Sequence, residues 1–516
     1  MKENNQTVSK DKKHSIAKNY FYNVIYQVFI LIVPLITTPY ISRVLSANGV
    51  GQYSFSNSLC SYFILVAALG FGYYAQREIA NNQNNKKEQS IIFWEIIVVR
   101  FFSVSIALMI NIILFFCGAY GNYSILMLWW SLAIIAVEFD ISFLFQGNEE
   151  FKKIVGRNIF IKTISVLLIF LLVKNTNDVW IYVVCTSAST LFGNLSLWLF
   201  LPKYLRKVSI HELRPQKHIL PTLKLFIPTI ATSIYTVLDK TLIGFLVEGT
   251  YEVSETIVEN GVEKTIVLIQ KYSDLENGYY EQSEKIIKMC MAIITSLGTV
   301  MIPRNSKLYS ENNEIMLKKN FYFSTNYVWF LGIPIMLGLI ACAPNIIPWF
   351  LGDGFGKCIG LMQLFAPLVL LIGFSNVFGL QYLVPTKRDG KFTIGILAGT
   401  VSNLILNLIL IKFFWSYGAV IASLIAEFLV TLVMYFMIRK EISIKQILTQ
   451  SIKPIIAGCI MFLIVYFTQK YLIPKWYYSV LLVIEGIIVY TLFMYILRDQ
   501  FLMKLIHDIS LKFKNK

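Results

Sequence analysis

Ionisable residues fall inside stretches of the chain that are otherwise apolar, chief among them Arg100, Glu138, Asp140, Lys162, Asp239, Lys240, Glu281, Glu284, Lys285 and Lys288. A charge deep in such a stretch costs at least about 2.5–3.5 kcal/mol on membrane-insertion scales, so each needs a partner or a wet cavity. Arg100, Lys162, Lys240, Lys285 and Lys288 are the candidates for holding an anionic substrate. A guanidinium grips phosphate oxygens in pairs, and an ammonium meets them as a point charge. Glu138, Asp140 and Asp239 are the candidates for proton or sodium coupling, because burial raises a carboxylate's pKa towards neutrality. The simpler reading is mutual neutralisation, Arg100 with Glu138 or Asp140, and Asp239 or Glu284 with Lys288. The spacing of Glu281, Lys285 and Lys288 places them on one helical face. Glu427 and Glu485 stand alone in apolar runs and are weaker candidates.

Other chemistries lack their residues. The four histidines (His14, His211, His218, His507) fall in tails and loops, so neither a metal site nor an imidazole relay within the membrane is expected. The seven cysteines are scattered without a CxxC pair and read as small buried hydrophobes. No nucleotide-binding Gly-x-x-x-x-Gly-Lys-Ser/Thr loop is present, and Gly352-Asp353-Gly354-Phe355-Gly356 reads as a turn. No cofactor and no catalytic set is expected.

The elements that must carry these charges follow from composition. The chain has 516 residues, 56% hydrophobic and only 15% charged, with a mean hydropathy of +0.61. Soluble domains carry about 25% charged residues. Apolar runs of about 20 residues follow one another from Tyr20 onward, and the strict alternation of a β-barrel is absent. The expected fold is all-α, a polytopic membrane protein with about fourteen transmembrane helices. Residues 1–18 form a basic cytoplasmic tail without a signal-peptide core, and the first span serves as the insertion signal.

Loop charge sets the orientation. Arg77, Lys86 and Lys87 follow span 2, and Lys152, Lys153 and Arg157 follow span 4. Lys203, Arg206, Lys207, Arg214, Lys217 and Lys224 surround the loop after span 6. Odd-numbered loops carry almost none, so about 33 of the Lys and Arg fall on one side and about 8 on the other. Both termini are therefore expected in the cytoplasm. The net charge of +16 is explained by topology and anionic lipid, and no nucleic acid is implied.

An internal repeat supplies the architecture. Gly51-Gln52-Tyr53 recurs as Gly278-Tyr279-Tyr280, and Arg77 as Arg304, both about 227 residues on. Pro34 and Thr38 recur as Pro228 and Thr232 at about 194, which implies an insertion of about 33 residues. The polar, acidic segment 248–277 fits, and its alternation around Asn260-Gly261 predicts a β-hairpin. It reads as an external cap or, more simply, a tolerated surface insertion. The expected organisation is a six-helix bundle over 19–205, a cytoplasmic linker over 206–222, and a second, parallel six-helix bundle over 223–441. Two extra helices follow over 450–500, then a cytoplasmic tail over 501–516.

Several motifs together resemble a known family. They are Gly70-Phe-Gly-Tyr-Tyr-Ala-Gln-Arg77-Glu78, Phe145-Gln146-Gly147-x-x-Glu150, Asp239-Lys240-x-x-x-Gly244 and Pro303-Arg304-x-Ser306. Gly379-Leu-Gln381 with Pro385 and Arg388, and Asn403-x-x-x-Asn407 with Gly418-Ala419 and Glu427, complete the set. The chain resembles, over nearly its whole length, the polysaccharide-repeat-unit flippases of the multidrug/oligosaccharidyl-lipid/polysaccharide exporter superfamily. The acidic insertion departs from the compact family pattern. The resemblance implies a V-shaped pair of bundles with two extra C-terminal helices. It implies movement of a polyprenyl-pyrophosphate-linked oligosaccharide from the inner to the outer leaflet of the cytoplasmic membrane by alternating access. Its pyrophosphate would meet Arg100, Lys162 and Lys240 in a cavity between bundles. A polysaccharide polymerase is the implied protein partner. A cation-coupled drug exporter of the same superfamily is the nearest alternative, and a membrane-embedded polymerase or ligase a more distant one.

Overall fold

The computed structural model describes residues 2–259 and 262–514. In a hydrocarbon solvent every backbone N–H and C=O must be satisfied within the protein, and apolar sequence there can only form helices or a closed barrel. The first part of the chain forms α1 (Lys2–Ala68), α2 (Phe71–Asn81), α3 (Lys86–Phe116), α4 (Ser124–Glu138), α5 (Ser142–Gly147), α6 (Phe151–Leu172), α7 (Val179–Trp198) and α8 (Ile219–Leu246). The hairpin β1 (Thr250–Glu259) and β2 (Val262–Lys271) comes next. It precedes α9 (Tyr272–Ser310), α10 (Glu314–Leu351), α11 (Lys357–Phe365), α12 (Leu368–Phe378) and α13 (Asp389–Ile438). The chain closes with α14 (Ile444–Thr449), α15 (Ile452–Lys470), α16 (Trp476–Ile496) and α17 (Gln500–Lys514).

Among the described residues, eleven helical stretches are long and apolar enough to cross a membrane. Two of them are more than twice the length that one crossing needs. The part of α1 from Tyr26 has 43 residues and α13 has 50, against the roughly 20 that span about 30 Å. Each is broken by one residue with a positive φ, Ser46 (58°) in α1 and Trp415 (54°) in α13. At the second break the chain turns back on itself, since a Cβ on Gly418 would lie 2.3 Å from the carbonyl oxygen of Leu410. Counting these two as pairs and adding α8 gives the fourteen spans that the apolar runs led us to expect.

The chain packs as two compact units, Met1–Thr241 and Leu242–Lys516. The first unit holds two apolar clusters. One gathers Leu45, Phe55, Met127, Trp130 and Val183, and the other Phe71, Phe93, Ile96, Phe143 and Phe145. By the internal repeat, α8 is the opening span of the second half. Packing assigns most of it to the first unit, where the Thr241 hydroxyl lies 3.0 Å from Ser58 Oγ and 3.1 Å from the Tyr62 hydroxyl. In the second unit α15 and α16 pack on α10 through Phe330, Met461 and Tyr490. The Tyr490 hydroxyl there donates to the Phe330 carbonyl at 2.8 Å.

The expected hairpin is present, antiparallel with Thr250 opposite Lys271 and Glu259 opposite Val262. Its Asn260-Gly261 turn lies outside the described residues. Helix α9 begins at Tyr272, so Asp274, Glu276 and Asn277 are helical rather than part of the acidic segment's loop.

The turn at Trp415 makes a prediction. Gly418→Ala forces a methyl group into the Leu410 carbonyl and costs about 1–3 kcal/mol. Gly156→Ala, where an added Cβ meets nothing within 4 Å, is neutral or gains up to about 1 kcal/mol from helix propensity. Thermal unfolding of the purified variants compares them, and equal midpoints would show that the close approach at Gly418 is not there.

Candidate functional site: the buried charges

Helix α4 stops at Glu138 and α5 starts at Ser142, so the fourth apolar stretch contains a break. The last carbonyls of a helix have no partner in the helix itself. Three side chains supply them. Asn194 Nδ2 donates to the Ala136 carbonyl at 2.7 Å, and Trp198 Nε1 to Phe139 at 3.0 Å. Arg100 serves two, with one terminal nitrogen on the Glu138 carbonyl at 2.6 Å and the other on Asp140 at 2.7 Å. Arg100 is 4% exposed, its Nε lies 3.9 Å from Glu138 Oε2, and the Phe143 ring lies 5.6 Å away. Asp140 Oδ1 accepts the Ser142 N–H at 3.0 Å, starting the next helix. Arg157 donates to Asn194 Oδ1 at 3.0 Å and orients the amide that caps Ala136.

The structure thus brings Arg100, Glu138 and Asp140 together, which is the neutralising arrangement. Lys162 is different. It lies on the exposed side of α6, in the middle of a span, and no hydrogen bond or ion pair falls to it among the described residues. In α8, Asp239 is buried and Lys240 half-buried. In the second unit Lys285 pairs with Glu281 at 3.1 Å and Lys288 with Glu284 at 2.6 Å, each one helical turn apart. These two cations therefore arrive with carboxylates attached.

Three further charge clusters were not among the candidates read from the sequence. Glu95 of α3 has a side chain with no exposure and accepts from Lys217 Nζ at 2.8 Å, His218 Nε2 at 2.8 Å and the Arg214 N–H at 2.6 Å. His218 is thus a buried residue with a carboxylate partner, where its loop position suggested neither. Glu276 binds Lys357 Nζ through both oxygens (2.6 and 2.7 Å) and accepts from the Ser416 hydroxyl beside the Trp415 bend. Arg388 forks onto Glu441 at 2.7 and 3.0 Å, and Tyr382 donates to the same carboxylate at 2.7 Å. The signal available beforehand was a carboxylate near a span end. What it lacked was a partner, because each partner lies tens of residues away.

This arrangement of long, bent and broken apolar helices defines an all-α, multi-pass membrane protein. The same fold appears in solved structures. The chain superposes on the lipid II flippase MurJ in an inward closed conformation with a TM-score of 0.71 at 17% identity, covering 94% of this chain and 99% of that one. A multidrug resistance MATE family transporter in an inward-facing conformation gives 0.54 at 13% identity, covering 81% and 98%. Among curated proteins, one from Escherichia coli (strain K12) carrying the name O-antigen transporter is 23% identical over 437 residues, covering 83% of this chain and 98% of that protein. A Shigella dysenteriae protein of the same name is 24% identical over 409 residues, 78% and 94% of the two chains. The family described as polysaccharide biosynthesis protein matches residues 16–309, more than half of the chain, and the chain belongs to it. The relatives carry transporter names, in agreement with the expectation of a transporter rather than an enzyme.

Two predictions follow from these geometries. Arg100→Lys keeps the charge but leaves one carbonyl of the α4 end unpaired, a loss of about 1.5–3 kcal/mol for a charged hydrogen bond. The variant should unfold at lower temperature in detergent, and an unchanged midpoint would show that the cap carries no stability. For Glu441, burial opposes ionisation, but the hydrogen bonds from Arg388 and Tyr382 outweigh it and hold the carboxyl below its ordinary range. Its contribution is present above the unfolded-state value of about 4.3 and is lost as pH falls through the lowered one. Partial exposure reduces its size. Thermal midpoints of wild type and Glu441→Gln should therefore converge as pH falls below about 4. Parallel curves would sink this assignment.

Proposed function

We propose that the chain is a flippase that moves a polyprenyl-pyrophosphate-linked oligosaccharide from the inner to the outer leaflet of the cytoplasmic membrane by alternating access. Both termini are then cytoplasmic, as the loop charges favour. The observation that carries this reading is membership of a polysaccharide biosynthesis family by a chain whose fold is a transporter's over nearly its whole length. A chain of this composition holds its apolar surface in lipid, where a carrier's polyprenyl tail is at home and only the charged and sugar parts need a polar route.

Within that reading, the pyrophosphate contact falls first to Lys162. A lysine in mid-span without a partner among the described residues is costly for the protein alone, and an anion passing it offsets that cost. Lys240, Lys285 and Lys288 are the secondary candidates. The last two reach an anion only by sharing or leaving Glu281 and Glu284. Arg100 supports the site indirectly by holding the helix break. For ion coupling, Glu138 and Asp239 are the favoured carboxylates, because Glu138 Oε2 accepts no hydrogen bond among the described residues and Asp239 is buried. Asp140, engaged in starting α5, is the weaker of the three. A polysaccharide polymerase is a candidate partner.

The drug-exporter reading is kept in view by the shared fold. Reconstituted vesicles distinguish the two. The flippase reading expects movement of a lipid-linked oligosaccharide and no gradient-driven export of cationic dyes. Within the flippase assay, Lys162→Ala should slow translocation at least about tenfold, the scale of one charged hydrogen bond, and Lys162→Arg should retain most of it. Unchanged rates in Lys162→Ala at normal protein levels would remove this residue from the site.

A further inference from the structure

We propose that Tyr74, His218 and Glu95 form a proton-binding site whose charge sets how firmly the segment leading into α8 is held to the first unit. His218 is 2% exposed, and its two ring nitrogens are both engaged. Nε2 lies 2.8 Å from Glu95 Oε2, and Nδ1 lies 2.6 Å from the Tyr74 hydroxyl. Facing a carboxylate, Nε2 carries a hydrogen in either charge state. The neutral ring then accepts at Nδ1 from the Tyr74 O–H. The protonated ring donates from Nδ1 to the Tyr74 oxygen, and the hydroxyl hydrogen rotates away. A proton can thus enter or leave the imidazole with both of its hydrogen bonds kept. That property separates a proton-binding group from one merely buried, for which charging would leave a broken contact.

The site is also built into the fold. Glu95 lies on α3, Tyr74 on α2, and His218 immediately before α8, so one imidazole ties three elements. The Glu95 carboxylate also accepts the Arg214 N–H and the Lys217 ammonium from the preceding segment. Further along, the Arg206 N–H donates to Ser90 Oγ at 2.9 Å, and Lys87 meets Glu212 at 3.0 Å on the surface. The Thr222 hydroxyl donates to the His218 carbonyl, joining the site to the first turn of α8. The charged and titratable groups around the imidazole are therefore Glu95 and Lys217, then Tyr74 with its neighbours Arg77 and Glu78 on α2. Glu95 is the group in direct contact, and Lys217 shares its Oε2 with the ring.

The direction follows. Histidine's charge normally changes between about pH 5 and 8. With the ring charged, both partners of its bond to Glu95 are ionised, and Coulomb attraction adds to a hydrogen bond that one charge already strengthens. The segment Arg214–His218 is then held more firmly at the acid end of that range. Because α8 carries Asp239 and Lys240, the proton at His218 acts on the helix that bears two of the candidate transport residues.

The test needs no transport. The chain has only four histidines, so the His218 ring signal in carbon-13 spectra of the detergent-solubilised protein is assigned by its loss in His218→Gln. Between pH 5 and 8.5 that signal should titrate. Over the same range, the protection factor of the Arg214 amide, corrected for intrinsic exchange, should rise about tenfold towards acid pH. Tyr74→Phe should alter the titration while the segment stays docked, and His218→Gln should dock with no pH dependence. Glu95→Gln should lower protection at every pH. A His218 signal that does not titrate overturns the proposal, as does a pH-dependent protection that persists in His218→Gln. Failure of the flippase reading would show instead as a wild-type protein that moves no lipid-linked oligosaccharide, whatever these signals do.

Discussion

The break between α4 and α5 is the constraint around which the first unit is arranged. Four carbonyls, those of Ala136, Glu138, Phe139 and Asp140, end a helix inside an apolar stretch where water cannot reach them cheaply. Each receives a side-chain donor, and those donors come from α3 and α7. Arg100 is fixed in position by having to serve two of them, and Asn194 and Trp198 fix the rotation of α7 about its axis. Ser103, one turn beyond Arg100, bonds the Ala67 carbonyl at 2.7 Å and so extends the tie to the end of α1. Removing one donor leaves a buried acceptor unmet, which costs more than the average hydrogen bond is worth. A charged residue in mid-membrane is here a structural part, and its apparent expense is offset by the backbone it completes.

Arg100, Glu138 and Asp140 look alike in the sequence as ionisable residues in apolar runs, yet two of them terminate and start helices. Lys285 and Lys288 are matched within α9 by carboxylates one turn earlier, an arrangement worth a few tenths of a kcal/mol on a helix surface and nearly neutral in net charge. Lys162 has neither kind of compensation among the described residues. A cation whose cost the folded chain does not answer is the better candidate for a transported anion than one already spent on a helix end.

Much of the fold was legible in the sequence, and for definite reasons. Span number follows from run length, because about 20 apolar residues are a physical minimum in a bilayer. The hairpin follows from the sequence Asn-Gly at 260–261 between alternating strands, a dipeptide that favours tight two-residue connections. The turn dividing α13 into two spans was legible from run length, but its conformation at Trp415 was not: a bulky aromatic at a positive φ runs against local preference. It is held by tertiary contacts, with Glu276 gripping Ser416 and Tyr272 lying 5.5 Å from the indole ring. The role of Arg100 was equally hidden, because a cap has meaning only once the helix end it caps is known. His218 was passed over because its partner Glu95 lies 123 residues away.

The residues that carry the family resemblance are largely packing residues. A Cβ on Gly147 would lie 2.6 Å from Ile79, where α5 meets α2, and one on Gly379 would lie 2.7 Å from the Phe392 ring. Arg388 serves Glu441, and Gly418 makes room for the Leu410 carbonyl. Such positions specify how helices approach one another, and close approach tolerates few alternatives. This chain shares its fold with a lipid II flippase and with a multidrug transporter at 13–17% identity. Cargo recognition asks something else of a residue: that its polar group be left over after the fold has used what it needs. The motif positions largely fail that condition, whereas Lys162, which belongs to no motif, meets it. The fold is therefore read largely from the motifs, and of the candidate cations Lys240 lies within one of them and Lys162 outside all of them.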